Sequence, residues 1–248
     1  VGFDARAGEE QQNHELVSLG LSATPFRMDD DESQRLAKRF ANRWFPHNQE
    51  DLHRRLLKQG VLCQVTNEEL QSGTGLSSLE EDELGQLDDL DGFGAEQLLE
   101  RINQRLGDHG GRNIKLVERI DACEEQSILL FANSVSHACE MAARLNLAGI
   151  PSAAVSGTTS RNARRYFLEQ FQRGELRVLC NHSVLTTGFD APKTDMLLIA
   201  RQVFSPVRYM QMVGRGLRGV KNGGTERCRI VTVLDNLGRF QNKQPYHF

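Results

Sequence analysis

The sequence predicts an α/β domain with a parallel sheet covered by helices on both faces, spanning about residues 112–240. Two observations predict it. Short, continuous apolar runs of buried-strand type recur along this stretch, and segments with apolar residues at helical spacing separate them. Ser127–Phe131 (SILLF) is the first run, and Ser134–Leu147 follows with Val135, Ala138, Met141, Ala142 and Leu145 on one helical face. Pro151–Val155 is a second strand and Arg161–Phe171 a second helix. Leu176–Cys180 and Met196–Ala200 are the third and fourth strands, Pro206–Arg218 a helix with proline in its first turn, and Arg229–Leu234 the closing strand.

The preceding residues have a different character. Glu50–Gln59 and Ala95–Leu106 have helical periodicity, but Thr66–Gly94 is acidic and dotted with glycine, so 29–111 is expected to be a partly helical acidic linker or insertion. Leu16–Leu21 is a lone strand, expected to be the remnant (1–28) of a domain preceding this one.

Composition narrows the classes. The 248 residues are 39% hydrophobic and 25% charged, as in ordinary globular proteins. No apolar run reaches the roughly 18 residues of a membrane span, and the opening residues have no signal-peptide anatomy. Five scattered cysteines without a C-x-x-C pair, and seven histidines without ligand spacing, give no disulfide framework and no metal site. A cytoplasmic, reducing environment is expected. The net charge of −3 hides an asymmetry: Gln64–Glu100 has eleven acidic residues and no lysine or arginine, whereas Arg101–Phe248 has 21 Lys+Arg against 12 Asp+Glu. A nucleic-acid partner therefore remains open.

Four stretches fall in a telling order: Leu21-Ser22-Ala23-Thr24-Pro25-Phe26-Arg27, then Leu129–Ser134, Leu185-Thr186-Thr187-Gly188-Phe189-Asp190-Ala191-Pro192, and Gln211-Met212-Val213-Gly214-Arg215-Gly216-Leu217-Arg218-Gly219. Together they resemble motifs III, IV, V and VI of superfamily-two helicases and translocases, in the branch of restriction-enzyme motors and DNA-repair helicases. The resemblance covers residues 16–27 and about 112–240. It implies a RecA-like fold for 112–248, ATP and Mg²⁺ as cofactors of the intact enzyme, a nucleic-acid track with DNA favoured over RNA, and a partner RecA-like domain N-terminal to this one.

Arg215 and Arg218 are three apart on the helix 206–218 and are expected to share a face, where two guanidinium forks suit a polyphosphate. By resemblance Arg218 is the arginine finger, Arg215 assists and Gln211 couples nucleotide to motion. The G-F-D motif lies past the end of a parallel strand, where such sheets place ligands. Gly188 and Asp190 are assigned to the nucleotide side, and Thr186 and Thr187 to the nucleic-acid backbone. Asn181-His182 stands where the family often has Thr-Asp. In Val155–Thr159, Thr158 is a candidate phosphate contact, though Thr158 or Ser160 equally suits a helix cap; Asn133 is a similarly ambiguous nucleic-acid contact. Ser22, Ala23 and Thr24 are expected to couple hydrolysis to movement. No Gly-Lys dipeptide of a phosphate loop occurs, nor an acidic pair before Ser22 on an apolar strand, so the chain alone is expected to be inactive. The alternative is a non-catalytic RecA-like scaffold or nucleic-acid-binding module.

Overall fold

A computed structural model describes residues 34–35, 38, 49–75, 92–183, 193–203 and 205–236. The chain divides into two units, Val1–His47 and Asn48–Phe248. In the first, the three described residues are helical. The expected strand at 16–21 lies outside the described residues.

The second unit holds one six-stranded sheet, every pair parallel, in the order β1-β6-β5-β2-β4-β3. Its strands are β1 (Gln64–Gly75), β2 (Ile128–Phe131), β3 (Ser152–Val155), β4 (Val178–Asn181), β5 (Met196–Ile199) and β6 (Arg227–Asn236). Its helices are α1 (Gln49–Lys58), α2 (Gly92–Gly107), α3 (Gly110–Asp121), α4 (Val135–Leu147), α5 (Arg161–Gln172) and α6 (Pro206–Val213). The RecA-like α/β reading holds.

The central strands are four residues long and buried on both faces, which explains their unbroken apolar runs. Alternate residues feed opposite sides. Leu129, Phe131, Leu179, Leu197 and Ile199 meet Phe171 of α5 and Met212 and Val213 of α6. Leu130, Cys180, Leu198 and Val231 meet Leu116 and Ile120 of α3 and Met141 and Leu145 of α4. Serine side chains start three helices: Ser134, Ser160 and Ser205 each accept an amide hydrogen bond from the third residue on.

Three elements depart from the sequence expectation. Residues 64–75, expected within an acidic linker, form an edge strand in continuous register with β6 from Gln64↔Arg227 to Gln71↔Leu234. One of its two acids is paired by neighbours: Glu68 accepts from Arg119 of α3 at 2.6 and 2.7 Å and from Arg229 of β6 at 3.2 Å, while Glu69 is exposed. Residues 110–121 form a helix that apolar spacing alone did not single out. And α6 stops at Val213 rather than Arg218.

Candidate functional site

The sheet presents two ends. At the C-terminal ends of β3, β4, β2 and β5 emerge the turn 156–160, His182, Asn133–Ser134 and Arg201–Gln202, since Val155, Asn181, Phe131 and Ile199 stand level in the ladder. In the β3 turn, the Ser156 and Thr158 hydroxyls share a hydrogen bond of 2.8 Å, and the Ser156 amide donates to Thr159 Oγ1 at 2.9 Å. Arg164 reaches back from α5 to donate to the Ser156 and Thr159 carbonyls at 3.1 and 3.3 Å. Ser160 takes the cap, its Oγ accepting from the Ala163 amide at 3.3 Å. Thr158 is therefore not the cap, and it stays exposed on a braced turn.

Asn133 does not fit a nucleic-acid contact through its side chain, which is buried with 0% exposure. Its Oδ1 accepts from Arg112 at 3.0 Å and its Nδ2 donates to Asn103 Oδ1 at 3.0 Å. It belongs to a buried polar network beneath the strand ends. Arg112 Nε and Nη2 donate to the two carboxylate oxygens of Asp235 at 2.7 and 3.0 Å, and Nη2 also reaches the Ala200 carbonyl. Gln202 Nε2 donates to Asp235 Oδ2 at 2.6 Å, and the Gln202 amide to Asn103 Oδ1 at 2.8 Å. The network ties α2 and α3 to the ends of β2, β5 and β6. Beside it, burial and the Arg112 charge hold His137 neutral, its pKa lowered to about 3, with Nδ1 accepting from the Asn133 amide at 3.1 Å. No local signal marked Arg112, whose partner Asp235 is 123 residues away.

On top of the strand ends, Glu100 of α2 lies 3.6 Å from both His182 Nε2 and Arg201 Nη2, and Glu96 pairs with Arg208. Burial, then the Arg201 charge, lowers the His182 pKa; burial also lowers that of Arg201 against the pull of Glu100.

The arginines stand at the other end of the sheet. The expectation that Arg215 and Arg218 share one helical face is overturned. The helix ends at Val213, Arg215 sits in the turn that follows (its amide donating to the Met212 carbonyl at 3.1 Å), and Arg218 is in extended chain bridged antiparallel to Leu62. The glycines decide this. At Gly216 a Cβ would lie 2.6 Å from the Cys228 sulfur and 3.0 Å from Leu197, so only glycine fits against the sheet. Gly219 runs against the backbone of Gly60 and Leu62 with no room for a side chain, and its amide donates to the Val61 carbonyl at 3.0 Å. The Cys63 amide donates to the Leu217 carbonyl at 3.0 Å, and Cys63 Sγ to the Gly216 carbonyl at 3.0 Å. Arg215 and Arg218 are both half-buried, as is Gln211 on the last turn of α6. Burial lowers the Arg215 pKa. Ser22, Ala23, Thr24, Thr186, Thr187, Gly188 and Asp190 lie outside the described residues. Among the described residues no cluster of three or more His, Cys, Asp or Glu is arranged for a metal, and no helix is long and apolar enough to cross a membrane.

Residues 112–220, which include the Asn133 strand end, the Thr158 turn and the Gly214–Gly219 segment, match the helicase conserved C-terminal domain. This segment is a helicase C-terminal domain. The chain is also similar to two proteins over about half of its length. The putative mitochondrial ATP-dependent helicase irc3 of Schizosaccharomyces pombe is 36% identical over 118 residues, 48% of this chain and 19% of that protein. A 51.5 kDa protein of a Lactococcus phage is 27% identical over 138 residues, 54% of this chain and 29% of that protein. The chain thus spans less than a third of either relative. In fold, a fragment of a putative HsdR subunit of a type I restriction enzyme from Vibrio vulnificus superposes over 90% of this chain and 40% of that one, with a TM-score of 0.57 at 22% identity. That likeness reaches past the helicase C-terminal domain into the residues before 112.

Proposed function

We propose that this chain supplies the second motor domain of an ATP-dependent superfamily-two helicase or translocase. The observation that carries the reading is the glycine-fixed segment Gly214–Gly219, which holds Arg215 and Arg218 half-buried on a helicase C-terminal domain. Partial withdrawal from water, visible in the lowered pKa of Arg215, strengthens the pull of a guanidinium on a polyphosphate. The residues fit one side of an ATP–Mg²⁺ site, and the bound nucleotide supplies a γ-phosphoryl group whose transfer spreads charge over its oxygens. Arg218 is assigned to stabilise that charge, Arg215 to bind phosphate beside it, and Gln211 to link the site to α6. Gly188 and Asp190 complete the nucleotide side. Thr186, Thr187 and the exposed Thr158 are assigned to the nucleic-acid backbone, so contacts are with phosphate and carry little sequence preference.

In this reading the phosphate loop and the Mg²⁺ carboxylates belong to an N-terminal RecA-like domain, and this chain alone does not turn over ATP. The test is nucleic-acid-stimulated ATP hydrolysis by a protein joining both domains, wild type against Arg218→Ala, with single-stranded DNA and RNA as separate activators. Loss of about a thousandfold or more in stimulated turnover is expected from removing an arginine finger. Unchanged turnover removes Arg218 from that role. Turnover by the 248-residue chain alone, abolished by Arg218→Ala, would falsify the division of labour between domains.

A further inference from the structure

The exposed surface at Thr158 continues onto helix α5. Helix α5 starts at Arg161, directly after the Ser160 cap, and turns two unlike faces. Its inner face sets Phe167, Leu168 and Phe171 on the core. Arg164 is drawn into the β3 turn by its bonds to Ser156 and Thr159. Arg161, Arg165 and Tyr166, in contrast, are exposed, and the two arginines are one helical turn apart. Tyr166 keeps 57% of its surface open to solvent and is the one aromatic among the large exposed hydrophobics of the described residues. Its contact with Phe167 is edge-on, 5.7 Å between centroids at 62°. Arg165 has Glu169 at 3.9 Å, with the two side chains 74% and 50% exposed, a loose surface pair easily exchanged for a phosphate. Arg161 has no ion pair among the described residues.

We infer that this face of α5 is a single-stranded nucleic-acid contact, in which Tyr166 stacks an unpaired base and Arg161 and Arg165 hold the flanking phosphates. An exposed aromatic beside a pair of guanidinium groups is the composition of a stacking platform on a cationic track. A protein partner is disfavoured, because no other large hydrophobic on α5 is exposed and protein interfaces have apolar cores. The position extends the surface that begins at Thr158, carrying a nucleic-acid strand off the β3 edge of the sheet; the inference therefore rests on the strand-binding reading proposed above.

The test measures binding of the 248-residue chain to labelled oligo-dT and oligo-U, each about 16 nucleotides long, across a salt series. Wild type is compared with Tyr166→Ala, Tyr166→Phe and the double variant Arg161→Gln/Arg165→Gln, with thermal melts confirming that each folds. Tyr166→Ala is expected to bind about tenfold more weakly with an unchanged salt slope, and Tyr166→Phe to bind like wild type, because the ring persists. The double variant is expected to lower the slope of log affinity against log salt by about 1.4, the share of two phosphates on a single strand. The oligonucleotide more weakened by Tyr166→Ala identifies the track. Wild-type affinity and slope in both Tyr166→Ala and the double variant overturn the α5 assignment alone. Absence of binding by wild type at low salt overturns the strand-binding reading and this assignment with it.

Discussion

Arg112 and Asp235 form an ion pair whose side chains are 0% exposed, held by hydrogen bonds that satisfy both ends. A buried charge is tolerable only with such company. Arg112→Ala therefore strands the Asp235 carboxylate, and a loss of about 3–5 kcal/mol in urea unfolding is expected. Removing both partners, in Arg112→Ala/Asp235→Ala, is expected to cost clearly less than the two single losses added, because no orphan charge remains. The same pair explains why Asn133 read ambiguously. An asparagine after a parallel strand suits a ligand or a scaffold equally, and only the arrival of Arg112 and Asn103 on its two amide atoms settles the choice.

At the scale of elements, periodicity located β2 to β6, α4 and α5 to within a residue or two, because strands buried on both faces leave an apolar trace that needs no partner to interpret. It failed where long-range contacts override local preference. The apolar and arginine spacing of 206–218 is compatible with a helix throughout, yet the chain leaves it at Gly214 to run antiparallel to residues 60–62. Edge strand β1 failed for a related reason: its Glu68 looks like solvated linker until Arg119 and Arg229 come alongside. The arginine segment thus depends on a glycine no side chain can replace. Gly216→Ala is expected to destabilise by about 1–3 kcal/mol through overpacking against Cys228 and Leu197. Gly110→Ala, where an added Cβ meets nothing within 4 Å, is the matched control and is expected to be neutral or slightly stabilising in the same urea titrations.

The whole molecule should be acid-sensitive. His137 is buried and neutral, with its pKa lowered from 6.5 to about 3, and that of His182 is lowered in the same direction by burial. Between those values for His137 the unfolded chain binds a proton that the folded one refuses, so stability falls as pH falls from 6.5 towards 3 and is fully retained above 6.5. The slope this one group imposes is at most about 1.4 kcal/mol per pH unit. In urea unfolding at a series of pH values, His137→Gln is expected to decline less steeply than wild type between about pH 6 and 4, where the wild-type histidine takes up its proton on unfolding. A parallel decline in both proteins would assign the acid sensitivity to other groups.

By itself the sequence determined the fold class, the order of the central strands along the chain and the presence of a helicase signature, since each is written in contiguous residues. The tertiary structure decided what non-adjacent residues do to one another. It made 64–75 an edge strand, gave Asn133 to a buried network, left Thr158 exposed once Ser160 had taken the cap, and set the Arg215–Arg218 segment at the opposite end of the sheet from the Thr158 turn. The reason is physical: burial, charge pairing and steric room at glycine depend on neighbours from anywhere in the chain, and periodicity registers only the neighbours within a few residues.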